Sequence, residues 1–168
     1  RRYMPPGVDA WGFTEAAASF MDGSVALHYT WPGVGRWAQN IGTDIEAMNW
    51  VPKSKVAGNV GYAVPPGGTP ELAVGWIVSV ASKGDNKEAA YLFAQWANSK
   101  EASLAKTSLG YSIRDPFRVS HYSDPGFRNL WPNAGEYLDA LNKGGANGVQ
   151  DLTVIQAQKY HDLISNAI

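Results

Sequence analysis

The sequence predicts an α/β fold, in which strands and helices follow one another along a single chain. Two strand-like runs and a set of helical stripes carry that expectation. The stretch Gly23–Gly35, GSVALHYTWPGVG, alternates with period two, so that Val25, Leu27, Tyr29 and Trp31 fall on one face and Ala26, His28 and Thr30 on the other. The stretch Ala73–Ala81, AVGWIVSVA, is apolar on both faces and rich in β-branched residues, as a buried strand requires. Between and after these runs, apolar residues recur at helical spacing, most clearly at Ala89, Leu92, Phe93, Trp96 and Ala97.

Taken in order, Thr14–Met21 forms a short helix with Ala17, Phe20 and Met21 on one face, ended by Asp22-Gly23. The first strand follows and stops at Pro32-Gly33. Residues 33–58 carry scattered Gly, Asn, Asp, Pro and Lys around a helical segment near Ile45–Trp50. A second strand is expected at Val60–Val64. The turn-former cluster PPGGTPE, Pro65–Glu71, makes a surface loop before the third strand. Asp85-Asn86-Lys87-Glu88 resembles a capping box and opens a helix to about Asn98; a further helix runs from Lys100 to near Gly110. A loop holding Asp115-Pro116 and Asp124-Pro125 leads to a helix over Asn133–Asn142. Lys143–Gly148, KGGANG, reads as a flexible connector, and a last helix covers about Val154–Ile168.

Composition narrows the function. The chain of 168 residues is 45% hydrophobic and 17% charged, the balance of an ordinary globular domain with a core. Its net charge of -1 offers no broad basic surface for a phosphate backbone or anionic lipid, so nucleic acid is not an expected partner. No apolar run is long enough to cross a bilayer as a helix. The Arg1-Arg2 start without Met or an apolar leader reads as a processed or truncated product. With no cysteine, disulfides and thiolate zinc sites are excluded. Seven Trp and eight Tyr stand against five Phe. Flat side chains with one polar handle suit ligands that are part polar and part apolar, such as sugars.

The motifs for other chemistries are incomplete. Gly33-Val34-Gly35-Arg36-Trp37-Ala38 matches G-x-G-x-x-A after an expected strand, but a second parallel strand with an acidic end about 20 residues on is not visible, and Asp44 and Glu46 come too early. A nucleotide turn is therefore set aside. His28, His121 and His161 are far apart and form no paired metal motif, so neither a metal nor another cofactor is expected. There is no G-x-S-x-G elbow. Fifteen acids leave room for a glycosidase carboxylate pair without pointing to one.

The order FMDGSVALHYTWPG, KVAGNVGYAVPPGG, GWIVSVASKGDNKEAAYLFAQWANSKE resembles the C-terminal half of the family 1 extracellular solute-binding proteins of ABC transporters, the maltose-binding-protein-like group. Leu27 stands where Met is usual, Val74-Gly75-Trp76 where Gly-Gly-Trp is frequent, and Ile113 where Pro is usual in the return crossing. The resemblance implies a periplasmic-binding-protein-like type II α/β fold with the N-terminal half absent. Residues 1–76 and 110–168 would form the C-terminal lobe, and 77–109 a segment that packs on the other lobe. It further implies capture of a carbohydrate or related polyol-like solute between two closing lobes, delivery to an ABC permease, no catalysis, and a periplasmic or lipoprotein-anchored location.

The same resemblance assigns ligand-binding positions. Trp31 matches a sugar-stacking aromatic after the strand, Trp76 the strand through the hinge, and Trp11 an aromatic facing the cleft. Gly75 would allow close backbone approach to a ligand. Gly110-Tyr111-Ser112-Ile113-Arg114 matches the return crossing, where Tyr111 is a candidate and Arg114 can donate a bidentate pair to ligand hydroxyls or instead hold a structural salt bridge. Gln156 is a weaker candidate. Without a first lobe, the stripe Leu92, Phe93 and Trp96 would need other cover, for which self-association through 77–109 is one route. A carbohydrate-active hydrolase is the alternative function, and a bare interaction domain a third.

Overall fold

The computed structural model describes residues 3–68 and 71–167. Arg1-Arg2, the Thr69-Pro70 part of the expected surface loop and the Ile168 end of the expected last helix lie outside the described residues.

Among the described residues, eight α-helices carry the fold: α1 Phe13–Met21, α2 Gly33–Trp37, α3 Lys87–Ala97, α4 Lys100–Thr107, α5 Val119–Tyr122, α6 Pro125–Arg128, α7 Ala134–Ala146 and α8 Ala157–Ala167. Local chemistry explains their starts. The Gly12 amide donates to Glu15 Oε2 at 3.0 Å and opens α1. Ser99 caps α4 by accepting from the Ala102 amide, and Asp124 caps α6 by accepting from the Phe127 amide, with Pro125 in the first helical turn. The expected helix near Ile45–Trp50 is a single 3-10 turn, Glu46–Met48. The expected connector at Lys143–Gly148 begins inside α7. Gly144 keeps that helix because a Cβ there would sit 2.8 Å from Glu71 Oε1, so the glycine serves close packing rather than flexibility.

The α/β, periplasmic-binding-protein-like type II arrangement is not what forms. Among the described residues there is no strand, and the one β pairing is an isolated parallel bridge between Leu72 and Val149. Period-two alternation needs a neighbouring strand before it becomes a sheet, and each expected strand meets something else. At 60–62, side chains take the place of a ladder: Asn133 Nδ2 and Gln39 Nε2 donate to the Val60 carbonyl, and the Tyr62 amide donates to Glu136 Oε1 at 2.9 Å. At 25–31 neither expected face is buried as a whole: Leu27 and Tyr29 are exposed, while Val25, His28, Thr30 and Trp31 are half-buried. At 73–81 only the ends are held, through Ala73 N to Val149 O at 2.7 Å and Gly84 N to Ala81 O at 3.1 Å.

Two apolar clusters make the core. Ala17, Met21, Val34, Trp37, Ala38, Met48, Val51 and Val60 form the first. Phe127, Trp131, Ala134, Tyr137 and Leu138 form the second, where α5, α6 and α7 pack together. Tyr62 packs against both. By contrast, no described residue from 61 to 96 is buried. Of the 77–109 segment, Ala97, Ser103 and Thr107 are buried, and α3 turns Leu92, Phe93 and Trp96 outward.

Arg36, fully buried, lies between the clusters. Its Nε donates to the Tyr137 hydroxyl at 3.1 Å, Nη1 to the carbonyls of Thr107 at 2.7 Å and Leu109 at 3.3 Å, and Nη2 to the Arg114 carbonyl at 3.2 Å. The guanidinium carbon sits 5.2 Å from the Phe127 ring centroid and 5.3 Å from that of Tyr137. Beside it, Asn40 adopts φ 57 and clasps Ser54 through both backbone groups, Nδ2 to O at 2.9 Å and Oδ1 from N at 2.8 Å. Replacing Arg36 with Met leaves three carbonyls and a phenol without their donor in a dry interior. Arg36→Met is expected to lower unfolding free energy by about 3 kcal/mol or more in urea denaturation; a loss below about 1 kcal/mol would contradict this role.

Candidate functional site

A cleft of about 160 Å³ opens between α1, α2, the 60–65 connector and α7. Phe20, His28, Trp31, Tyr62, Tyr137 and Leu141 line it, and Glu71 contributes a carboxylate. Aromatic packing holds the walls. Trp31 meets Trp37 edge-on at 5.5 Å, and Tyr62 meets Tyr137 edge-on at 5.2 Å. The two glycines of the G-x-G motif make this possible. A Cβ on Gly33 would lie 3.1 Å from the Trp31 ring, and one on Gly35 only 2.8 Å from Tyr62 Cε1. They belong to α2 and admit aromatic rings, not a phosphate.

Polar handles in the cleft are fixed as well. The Tyr62 hydroxyl donates to the Gly35 carbonyl at 2.9 Å, and burial pushes its ionisation up. His28 packs against Phe20 at 5.8 Å, and burial lowers its pKa against the opposing pull of a backbone hydrogen bond at Ala16. Behind Trp31, its Nε1 donates to Asp115 Oδ2 at 2.7 Å.

The positions expected to bind ligand are not gathered in one place. Trp31 lines the cleft. Trp76 is fully exposed at 103%, and Gly75 faces open space. Trp11 is half-buried at the end of the Val8–Ala10 turn, outside the cleft lining. Tyr111 lies with its amide against Gly42, where a Cβ would come within 2.6 Å. Arg114 turns its side chain outward and gives its carbonyl to Arg36. Gln156 adopts φ 64 just before α8. Sequence reasoning passed over Tyr62, His28, Glu71 and Asp115. Tyr62 stands within the stretch KVAGNVGYAVPPGG that carries the resemblance, whereas nothing local marks Asp115 as the partner of a residue 84 positions away.

Two other arrangements invite a chemical reading. A larger shallow depression of about 380 Å³ surrounds Arg128 and Asp139, whose exposed side chains form a bidentate pair at 2.8 and 2.9 Å and so satisfy each other. In the interior, Ser103 Oγ lies 3.1 Å from His121 Nε2. The Phe117 amide donates to His121 Nδ1 at 3.4 Å, which leaves the ring proton on Nε2 to be donated to Ser103. Ser103 in turn donates to the Lys100 carbonyl at 3.1 Å. The imidazole therefore cannot act as a base toward that hydroxyl, and both groups are fully buried. Glu71 is the one carboxylate among the cleft-lining residues, so the pair a glycosidase needs is not assembled there. Among the described residues no cluster of three His, Asp or Glu is placed to hold a metal, and no helix is long and apolar enough to cross a membrane.

A family model described as bacterial extracellular solute-binding protein matches residues 2–131, which is most of the chain and includes the cleft residues of α1, α2 and the 60–65 connector. Comparison with curated proteins and with solved structures gives no match.

The Ser103–His121 pair yields a pH test. Burial lowers the His121 pKa, and nearby Arg118 adds to the effect against a smaller opposing pull from Asp124. Because the unfolded chain takes up the proton first, at about pH 6.5, stability is full above that value. It falls as pH drops below it, by at most about 1.4 kcal/mol per pH unit for one proton. Urea midpoints at pH 7.5 and pH 5.5 are expected to differ more in the wild type than in His121→Gln. Equal differences in the two proteins would contradict the assignment.

Proposed function

The chain belongs to the bacterial extracellular solute-binding proteins, and we propose that it captures a carbohydrate or polyol-like solute for an ABC importer, handing it to the membrane permease from the periplasmic side. One observation carries the sugar reading: Trp31 and Tyr62 line one small cleft together with the polar side chains of Thr30, His28 and Glu71. A pyranose has polarised C–H groups on its flat face, which pack on an indole, and hydroxyls around its edge, which seek such polar groups. His28 adds a polar ring nitrogen that can meet a ligand hydroxyl. The family match supports a binding role rather than catalysis.

The partner surface is read separately. The chain exposes 12,018 Å², against about 8,000 Å² for a compact monomer of its mass. Trp76, Ile77, Leu92, Phe93 and Trp96 are among the large apolar side chains that face outward. An uncovered area of that size supports contact with another protein surface, and for the chain by itself a second copy through 77–109 is the contact we assign.

Titration calorimetry with glucose, maltose and sorbitol, with sedimentation velocity on the same samples, tests both parts. At least one of these solutes is expected to bind, and Trp31→Ala to weaken it by about tenfold or more, ~1.4 kcal/mol. The chain is expected to sediment as a dimer that Trp96→Glu dissociates. Binding that is unchanged in Trp31→Ala would overturn the cleft, and a monomer at all concentrations would overturn the contact.

A further inference from the structure

Trp31 is the wall of the cleft, and an indole serves as a stacking platform only if its plane is held. Van der Waals contact with Trp37, Phe13 and Gly33 limits the ring's tilt, with centroid distances of 5.5 Å to Trp37 and 6.3 Å to Phe13. None of these contacts by itself fixes the torsion about Cβ–Cγ, which turns the indole plane. The hydrogen bond from Nε1 to Asp115 Oδ2, at 2.7 Å, does so, since it is short and made at one edge of the ring.

Asp115 is itself held on both sides. The preceding carbonyl, of Arg114, accepts from Arg36 Nη2, and the following one, of Pro116, accepts from the Tyr122 hydroxyl at 2.8 Å. Its other oxygen, Oδ1, is buried with no hydrogen-bond partner among the described residues. A carboxylate placed there for stability alone would have both oxygens satisfied, because an unpaired buried oxygen is costly. We propose that Asp115 is the positioning residue of the solute cleft, setting the plane of Trp31 from behind so that the indole face is presented to the ligand. The inference rests on the cleft being the binding site.

The groups facing Asp115 come from three elements: Arg36 on α2, Tyr122 on α5 and Tyr137 on α7. Burial raises the Asp115 pKa, while the hydrogen bond from Trp31 and the charge of Arg36 oppose the rise. In its ionised form Asp115 is the stronger acceptor, and protonation converts it to a weaker, neutral one.

The test follows the indole itself. In protein labelled with 15N at its tryptophans, the Trp31 Nε1–H resonance is assigned by its loss in Trp31→Phe. It is expected to lie downfield and to move upfield on acidification from neutral pH as Asp115 takes up a proton. Asp115→Ala should abolish both the downfield position and the pH response, and weaken the tightest of glucose, maltose and sorbitol by about tenfold. Asp115→Asn keeps an acceptor without charge, so it should lose the pH response yet bind within a few-fold of wild type. An indole signal that is the same in wild type and Asp115→Asn over the whole pH range would overturn the proposal, as would full affinity in an Asp115→Ala protein that has lost the indole signal. Should Asp115→Ala fail to fold, the Asp115→Asn spectrum still decides. If none of the three solutes binds the wild type, the cleft assignment fails, whereas the indole spectra still report whether Asp115 holds Trp31.

Discussion

A guanidinium buried at 0% exposure, with no carboxylate in direct contact, is the interaction on which the rest of this fold rests. Arg36 is placed on the second turn of a helix only five residues long, which could not persist alone in water. What holds that helix is the set of acceptors around the guanidinium, drawn from the end of α4, from the loop at Leu109 and Arg114, and from Tyr137 of α7. Through these bonds one side chain joins segments up to 101 residues apart and welds two apolar clusters into one interior. It also orders the cleft. By fixing the Arg114 carbonyl it sets the loop that carries Asp115, and Asp115 reaches Trp31.

Much of the helical content was legible. Ala17 and Met21 are buried on α1 as their spacing predicts, and α4 starts at Lys100 as read. The strands were misread for a physical reason. Alternation tells which residues would share a face if the backbone were paired, but it does not supply the pairing. In 60–62 three polar side chains satisfy the backbone, and in 73–81 the apolar residues stay uncovered. The G-x-G motif shows the same limit, since glycine spacing is common to phosphate turns and to sites where aromatic rings press on a helix.

The candidate site was legible in one residue, Trp31, because an aromatic where an apolar run ends carries a local signal. Tyr62 came with its motif but without a role. Arg36, Glu71 and Asp115 act through contacts between distant segments, and no local pattern encodes those. Trp76 and Gly75 show the converse, since their motif places them in a strand through a hinge, while here they stand on open surface. The cleft is accordingly built from α1, α2, the 60–65 connector and α7, with the 77–109 segment outside its lining.

If Arg36 organises the interior, protection from exchange with solvent should be greatest around it. Amide hydrogen exchange on the intact chain measures this directly. Amides of residues 34–38, 103–108 and 137–141 are expected to exchange slowest and together, while those of 74–81 exchange within the fastest class. Slow, cooperative exchange across 74–81 would mean that this stretch is paired in a sheet, and would contradict an interior organised by the buried guanidinium.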